Sequence, residues 1–187
     1  MSLLKLAHQT IQQTIQTGDS VIDATVGNGH DTLFLAEQVG RTGRVYGFDI
    51  QQTALDSAAQ RLNNLEQVKL ILASHSDMKQ HIPLEQHGKI KAVMFNLGYL
   101  PKGDKSIITQ SENTISALNA ACELLALNGV ITVLAYTGHQ GGAEEADCVE
   151  HWLKQTEFNL TTILSNIPSP TAPKLFILKK KHYRLEK

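Results

Sequence analysis

Val21-Ile22-Asp23-Ala24-Thr25-Val26-Gly27-Asn28-Gly29-His30-Asp31-Thr32 reads as a short apolar strand, a glycine-rich turn and the first turn of a helix. That order points backbone N–H groups and a helix N-terminus at a small polar ligand. Asp49 follows Gly29 by twenty residues, at the end of a second apolar run, Arg44-Val45-Tyr46-Gly47-Phe48. An acid at that spacing suits the two hydroxyls of a ribose. Together they predict an adenosine-containing cofactor at the carboxyl ends of neighbouring parallel strands.

The turn also discriminates among such cofactors. A dinucleotide fingerprint requires a third glycine where this chain has Thr32, and the turn carries Asn28, His30 and Asp31. Acids beside a pyrophosphate are unfavourable, which argues against an NAD-dependent oxidoreductase. No lysine follows the glycines, so a P-loop is excluded. S-adenosylmethionine has no phosphate and carries a sulfonium and an ammonium, and Asp23, Asn28 and Asp31 suit that positive end. Gly27, Gly29 and Asp49 complete the expected cofactor contacts on this side.

Outward from the turn, helices and strands alternate. Leu3, Leu4, Ala7, Ile11 and Ile15 recur at helical spacing ahead of the first strand, Ser20–Ala24. A helix is expected from Asp31 to Val39, a strand over Arg44–Phe48, a helix from Thr53 to Leu62 and a strand over Val68–Leu72. A short helical piece from Asp77 precedes the strand Ile90–Asn96, and a loop with Gly98, Pro101 and Gly103 leads to a helix from Ile107 to Leu125. The Asn128-Gly129 turn introduces a strand over Val130–Tyr136, and a helix follows from Ala143 to Gln155. Leu160–Asn166 and Leu175–Lys179 then read as two strands with no helix between them, which pair antiparallel. The fold class expected is α/β: a Rossmann-like, mostly parallel seven-stranded sheet with an antiparallel last strand and helices on both faces. One domain over residues 1–187 is expected.

Further candidates sit after the third, fourth and fifth strands. In Ala73-Ser74-His75-Ser76-Asp77, Ser76 or Asp77 is placed to bond an adenine amino group while His75 packs near the ring. Either residue also suits the N-cap of the next helical turn. Asn96-Leu97-Gly98-Tyr99-Leu100-Pro101 faces the reactive methyl. It is similar to the Asn/Asp-Pro-Pro-Tyr motif of nitrogen-directed methyltransferases, with Leu97-Gly98 in place of the prolines. His139, in the Tyr136-Thr137-Gly138-His139 loop after the fifth strand, is a candidate substrate contact.

Composition sets broad limits. The 42% hydrophobic and 19% charged content is ordinary for a globular domain, and a net charge of −1 advertises no nucleic-acid partner. Lys174, Lys179, Lys180, Lys181 and Arg184 make the tail locally basic, as a phosphate contact or, more simply, a solvated strand end. The eight histidines and two cysteines show no metal-ligand spacing, so no metal is expected. The absence of an apolar leader and of a C-x-x-C pair leads to the expectation of a reduced, cytoplasmic setting without membrane association.

Three stretches together carry a resemblance that spans nearly the whole chain. They are Asp23-Ala24-Thr25-x-Gly27-Asn28-Gly29-x-Asp31-Thr32; Asn96-Leu97-Gly98-Tyr99-Leu100-Pro101-x-Gly103-Asp104; and Tyr136-x-Gly138-His139-x-Gly141-Gly142-x-Glu144-Glu145 with Val149-x-x-Trp152. In them the chain resembles the MnmM (YtqB-like) tRNA wobble-uridine methyltransferases, earlier grouped as rRNA methylases. The resemblance implies a class I fold, often a homodimer. It implies methylation of the exocyclic amine of 5-aminomethyl-2-thiouridine in the tRNA anticodon loop. It implies cofactor contacts at Asn28, Asp31, Asp49, Gln51, His75 and Ser76, and a substrate pocket at Asn96, Gly98, Tyr99, Tyr136 and His139. Asn96 and Tyr99 are the expected catalytic pair, Asn96 orienting the amine rather than acting as a base. The chain departs from the family at Thr171-Ala172-Pro173-Lys174, where a proline pair is expected. Methylation of rRNA or of a small-molecule amine uses the same cofactor site, and a non-catalytic module that binds the cofactor or RNA is the reading of another class.

Overall fold

A computed structural model describes residues 1–98, 111–138, 141–165, 169 and 171–180. Seven strands form one sheet: β1 (Ser20–Asp23), β2 (Arg44–Asp49), β3 (Val68–Leu72), β4 (Ile90–Leu97), β5 (Leu125–Ala135), β6 (Asn159–Leu164) and β7 (Lys174–Lys179). Their order is β3-β2-β1-β4-β5-β7-β6. The first five run parallel, and β7 enters antiparallel between β5 and β6. The expected fold class is therefore present, including the antiparallel terminal pair.

The helices are α1 (Leu3–Gln12), α2 (His30–Val39), α3 (Gln52–Leu62), α4 (Met78–His81), α5 (Ser111–Leu124) and α6 (Gly142–Leu153). Helix α1 starts where the Ser2 hydroxyl accepts the Lys5 N–H, and buries Leu3, Ala7 and Ile11 at a spacing of four. Helix α3 ends at Asn63, which takes the left-handed conformation (φ 45°). The start of the long helix expected from Ile107 lies outside the described residues, as does Asn166.

Both sheet faces are covered, and the strands alternate between them as a pleat demands. Ile22, Phe48, Val93, Phe95, Ile131, Val133 and Phe176 pack toward α4, α5 and α6. Val21, Val45, Met94, Val130, Leu134 and Ile177 pack toward α1 and α2. The expectation for β5 needs correcting. It begins at Leu125, and the Asn128-Gly129 turn lies inside it, with Asn128 at φ 61° and a register break opposite Ile90 and Ala92. The turn chemistry is present, but the neighbouring β4 pairs with the residues on both sides of it, which turns a loop into a bulge.

The chain reverses its strand order between β1 and β4, and a doubly wound sheet binds ligands in the crevice outside that reversal. Asp23, Asp49, Asn96 and Tyr136 all stand at or just past the carboxyl ends of their strands.

Candidate functional site

The turn after β1 is held from below and from the side. The Asp49 carboxylate accepts the Gly27 N–H at 2.9 Å with one oxygen and the Gln51 N–H at 2.9 Å with the other. Asp49, the last residue of β2, thus joins the turn to the start of α3. The Asn28 side chain accepts the Ser57 hydroxyl at 3.2 Å, and the Asn28 carbonyl accepts Arg61 Nε at 2.7 Å. Gly29 has φ 76°, and a Cβ there would lie 2.8 Å from Ala58 Cβ, so the turn sits directly on α3.

Asp23 is fully buried, accepting the Thr32 hydroxyl at 2.6 Å and the Thr25 N–H at 3.1 Å. Thr32, the residue that breaks the dinucleotide fingerprint, thereby supports the inner acid. Burial, and then the neighbouring Asp31 charge, push the Asp23 carboxyl up to about 7, against the pull of those two hydrogen bonds. Asp23, Asp31 and Asp49 thus stand at the same end of the sheet, near enough for the other two charges to raise the Asp23 carboxyl.

Asp31 ties the first-strand turn to the end of β4. One oxygen contacts His8 Nε2 at 2.6 Å, and the other accepts the Asn96 side-chain Nδ2. Because a carboxylate only accepts, the Asn96 amide must turn its nitrogen toward Asp31 and its oxygen away. Asn96 Oδ1 is buried and has no hydrogen-bond partner among the described residues. The Asn96 backbone N–H donates to Thr25 Oγ1 at 2.8 Å, which fixes the strand end beneath. Gly98 follows with φ 152°, outside the range that side chains favour. Tyr136 stands one residue past the end of β5 and is 43% exposed; partial burial, and then the Asp31 charge, raise its hydroxyl pKa.

After β3, Ser74 rather than Ser76 or Asp77 caps the short helical turn: its hydroxyl oxygen accepts the Ser76 N–H at 3.2 Å. Asp77 makes no side-chain cap hydrogen bond to α4. The Ser76 hydroxyl also donates to Ser74, at 2.8 Å. His75 is buried, with Nδ1 3.2 Å from the Ala24 carbonyl and its ring edge-on to Phe95. A carbonyl only accepts, so Nδ1 carries the proton, and burial lowers the pKa and holds the ring neutral.

Of the expected site residues, Asp23, Gly27, Asn28, Gly29, Asp31, Asp49, Gln51, His75, Ser76, Asn96, Gly98 and Tyr136 line this one end of the sheet. Tyr99 and His139 lie outside the described residues. The departing segment pins the rim: the Thr137 hydroxyl donates to the Ala172 carbonyl at 3.1 Å. The basic tail is partly committed elsewhere. Lys174 pairs with Glu150 at 3.0 Å and with Asp147 at 3.6 Å. Lys180 donates to the Leu125 carbonyl at 2.8 Å, at the end of α5. Lys181 and Arg184 lie outside the described residues. Among the described residues no three His, Cys, Asp or Glu side chains gather as metal ligands would, and no helix is long and apolar enough to cross a membrane.

His8, Thr25 and Phe34 complete this network, and reading the sequence missed them. Thr25 lay inside the decisive turn and was legible as a polar residue between two ligand-facing ones. His8 carries no local signal, being a polar residue beside the apolar stripe of α1.

The chain is similar to known methyltransferases in both sequence and fold. A family model described as "Putative rRNA methylase" matches residues 45–179. A tRNA (mnm(5)s(2)U34)-methyltransferase from the chloroplast of Arabidopsis thaliana is 45% identical over 157 residues, 78% of this chain. The match spans 57% of the Arabidopsis protein's own length. The crystal structure of a "putative rRNA-methylase" from Clostridium thermocellum superposes with TM-score 0.91 at 41% identity, covering 97% of this chain and 98% of that one. A "putative methyltransferase" from Streptococcus mutans, solved with SAH, gives TM-score 0.84 at 31% identity, covering 97% and 99%.

Proposed function

The chain belongs to the rRNA methylase family, and on that premise we propose that it is an S-adenosylmethionine-dependent methyltransferase acting on a primary amine of RNA. The amine is that of 5-aminomethyl-2-thiouridine at the tRNA wobble position, and the product is 5-methylaminomethyl-2-thiouridine. The relatives support the class of reaction: one is named for the wobble position and another was solved with SAH.

The residues present fit that cofactor. Asp49 suits the ribose hydroxyls, the Gly27–Gly29 turn gives close backbone approach, and Asp23 and Asp31 suit the charged methionyl end. His75 and Ser76 border the adenine side. Bound there, S-adenosylmethionine would supply a sulfonium methyl open to in-line attack by a neutral amine.

The observation that carries the amine assignment is Asn96 Oδ1, a buried acceptor that has no partner among the described residues, on an amide held in one orientation by Asp31. A buried acceptor without a donor is costly, and an incoming N–H satisfies it. An amine is suited to the position because it gives one N–H to Oδ1 and still keeps a lone pair for attack. Asn96 therefore aligns the nucleophile, the main contribution required when the leaving group is already good. The Asp31 carboxylate fixes that alignment. Tyr136, half-exposed on the rim, offers a ring on which an unpaired wobble base stacks.

The test is transfer of a labelled methyl to tRNA bearing 5-aminomethyl-2-thiouridine, with the digested nucleosides identified by mass. A gain of one methyl on that nucleoside is expected, and Asn96→Ala should lower kcat by about a hundredfold. Label in rRNA or a small amine instead would overturn the tRNA assignment. Cofactor binding without transfer to any acceptor would leave a binding module.

A further inference from the structure

We propose that His8, on the first helix and outside the glycine turn, is a positioning residue for this transfer. It holds the Asp31 carboxylate and, through it, keeps the Asn96 amide turned so that Oδ1 meets the amine. The inference rests on the proposed function, since it assigns how the amine-binding group is aimed.

The chain of contacts is continuous. His8 Nε2 lies 2.6 Å from Asp31 Oδ1, and Asp31 Oδ2 accepts the Asn96 side-chain nitrogen. Each carboxylate oxygen thus has one named partner, so the rotation of the Asp31 carboxylate is set by His8 on one side and Asn96 on the other. Terminal carboxylate torsions are otherwise broad and weakly preferred. The His8 ring is itself immobilised: it stacks on Phe34 with centroids 4.0 Å apart and planes 8° apart. Phe34 and Asp31 lie on one face of α2, three residues apart, so ring and carboxylate are presented by the same helix. Helix α1 cannot slide freely beneath them, because Leu3, Ala7 and Ile11 are buried against β5 and β7.

A plain surface ion pair contributes little and holds nothing in place. This pair differs in two respects. The His8 and Asp31 side chains are only 27% and 12% exposed, and the far oxygen of Asp31 is committed to the amide at the reaction centre. Losing His8 leaves the fold anchored and frees one torsion of Asp31, and Asn96 loses its fixed orientation. Misplacement of an aligning group by as little as about 1 Å costs rate on the order of a hundredfold.

The experiment compares His8→Ala, His8→Gln and Asn96→Ala with the wild type. It measures kcat and KM for tRNA, Kd for S-adenosylmethionine, and the side-chain NH2 resonances of Asn96, assigned by their loss in Asn96→Ala. His8→Ala is expected to lower kcat at least tenfold and to weaken cofactor binding by less than that, because Asp31 keeps its charge and loses only its fixed orientation. The Asn96 resonances should shift and broaden even without substrate. His8→Gln places an amide N–H near the imidazole Nε2 position and should restore both readouts to within about threefold, as expected for alignment. Wild-type kcat and unchanged Asn96 resonances in His8→Ala, with Asn96→Ala inactive, would overturn the role of His8 alone. Failure of His8→Gln to rescue would overturn the positioning role. Full transfer by Asn96→Ala would overturn the functional reading itself.

Discussion

Asp23 concentrates the electrostatic tension of the site in one side chain. It is fully buried beside Asp31 and Asp49, and its carboxyl is raised from 3.8 to about 7. The folded protein therefore holds a proton on Asp23 that the unfolded chain releases near pH 4. The stability this contributes is full below about pH 4 and is lost as pH rises through about 7. Asp23→Asn removes that dependence. Thermal melts of the ligand-free protein should show the variant gaining on the wild type between pH 4 and 7 and holding the gain at pH 8. A cationic ligand pulls the other way, because it favours the ionised acid. The wild-type Kd for S-adenosylmethionine should tighten from pH 6 to 8 with release of a proton, and calorimetry of Asp23→Asn should show a flatter profile. A wild-type Kd that weakens with pH would place the positive end of the cofactor elsewhere.

The turn between β1 and α2 depends on how closely it approaches α3. Gly29→Ala meets two penalties: a left-handed φ of 76° and a Cβ 2.8 Å from Ala58 Cβ. Gly88 provides the comparison, since its φ is 74° and nothing lies within 4 Å of the added Cβ. Gly88→Ala should lose only the conformational term, about 1–2 kcal/mol. Gly29→Ala should lose about 1–3 kcal/mol more as α3 is pushed back, a further drop in Tm of roughly 2–4 °C per kcal/mol. Equal melting temperatures would mean that α3 yields without cost. Because Asn28 and Asp49 reach the same helix or its first residues, Gly29→Ala should also weaken cofactor binding, whereas Gly88→Ala should not.

At the scale of the molecule, inserting β7 antiparallel between β5 and β6 decides where the basic tail goes. Lys174 enters the strand beside α6 and pairs with Glu150 and Asp147, and Lys180 leaves it over the end of α5. Those ammonium groups act within the fold. Lys174→Ala and Lys180→Ala should leave the slope of log Kd for tRNA against log salt unchanged. A lysine on a phosphate would contribute about 0.7–0.9 to that slope. A loss of that size in either variant would show that the lysine leaves its intramolecular partner to bind RNA.

The α/β alternation, the cofactor-type turn, the acid at Asp49 and the antiparallel end were all legible in the sequence. Each is written in a few neighbouring residues: a period of two or 3.6, a pair of glycines, a strand end with an acid on it. The same local reasoning placed the Asn128-Gly129 turn correctly and missed that β4 would pair on both sides of it. It also proposed Ser76 or Asp77 as a cap where Ser74 makes the bond. The His8–Asp31–Asn96 chain was beyond local reasoning altogether. Its members lie 23 and 65 residues apart and on three elements. Periodicity tells which face of α1 is apolar, but only packing on the sheet decides what stands beside the polar residue at the edge of that face. The fold and the end of the sheet that carries the candidate site follow from the sequence read locally. The tertiary structure decided which way the Asn96 amide faces, because that orientation is set by hydrogen bonds between elements and not by any property of asparagine in its own strand.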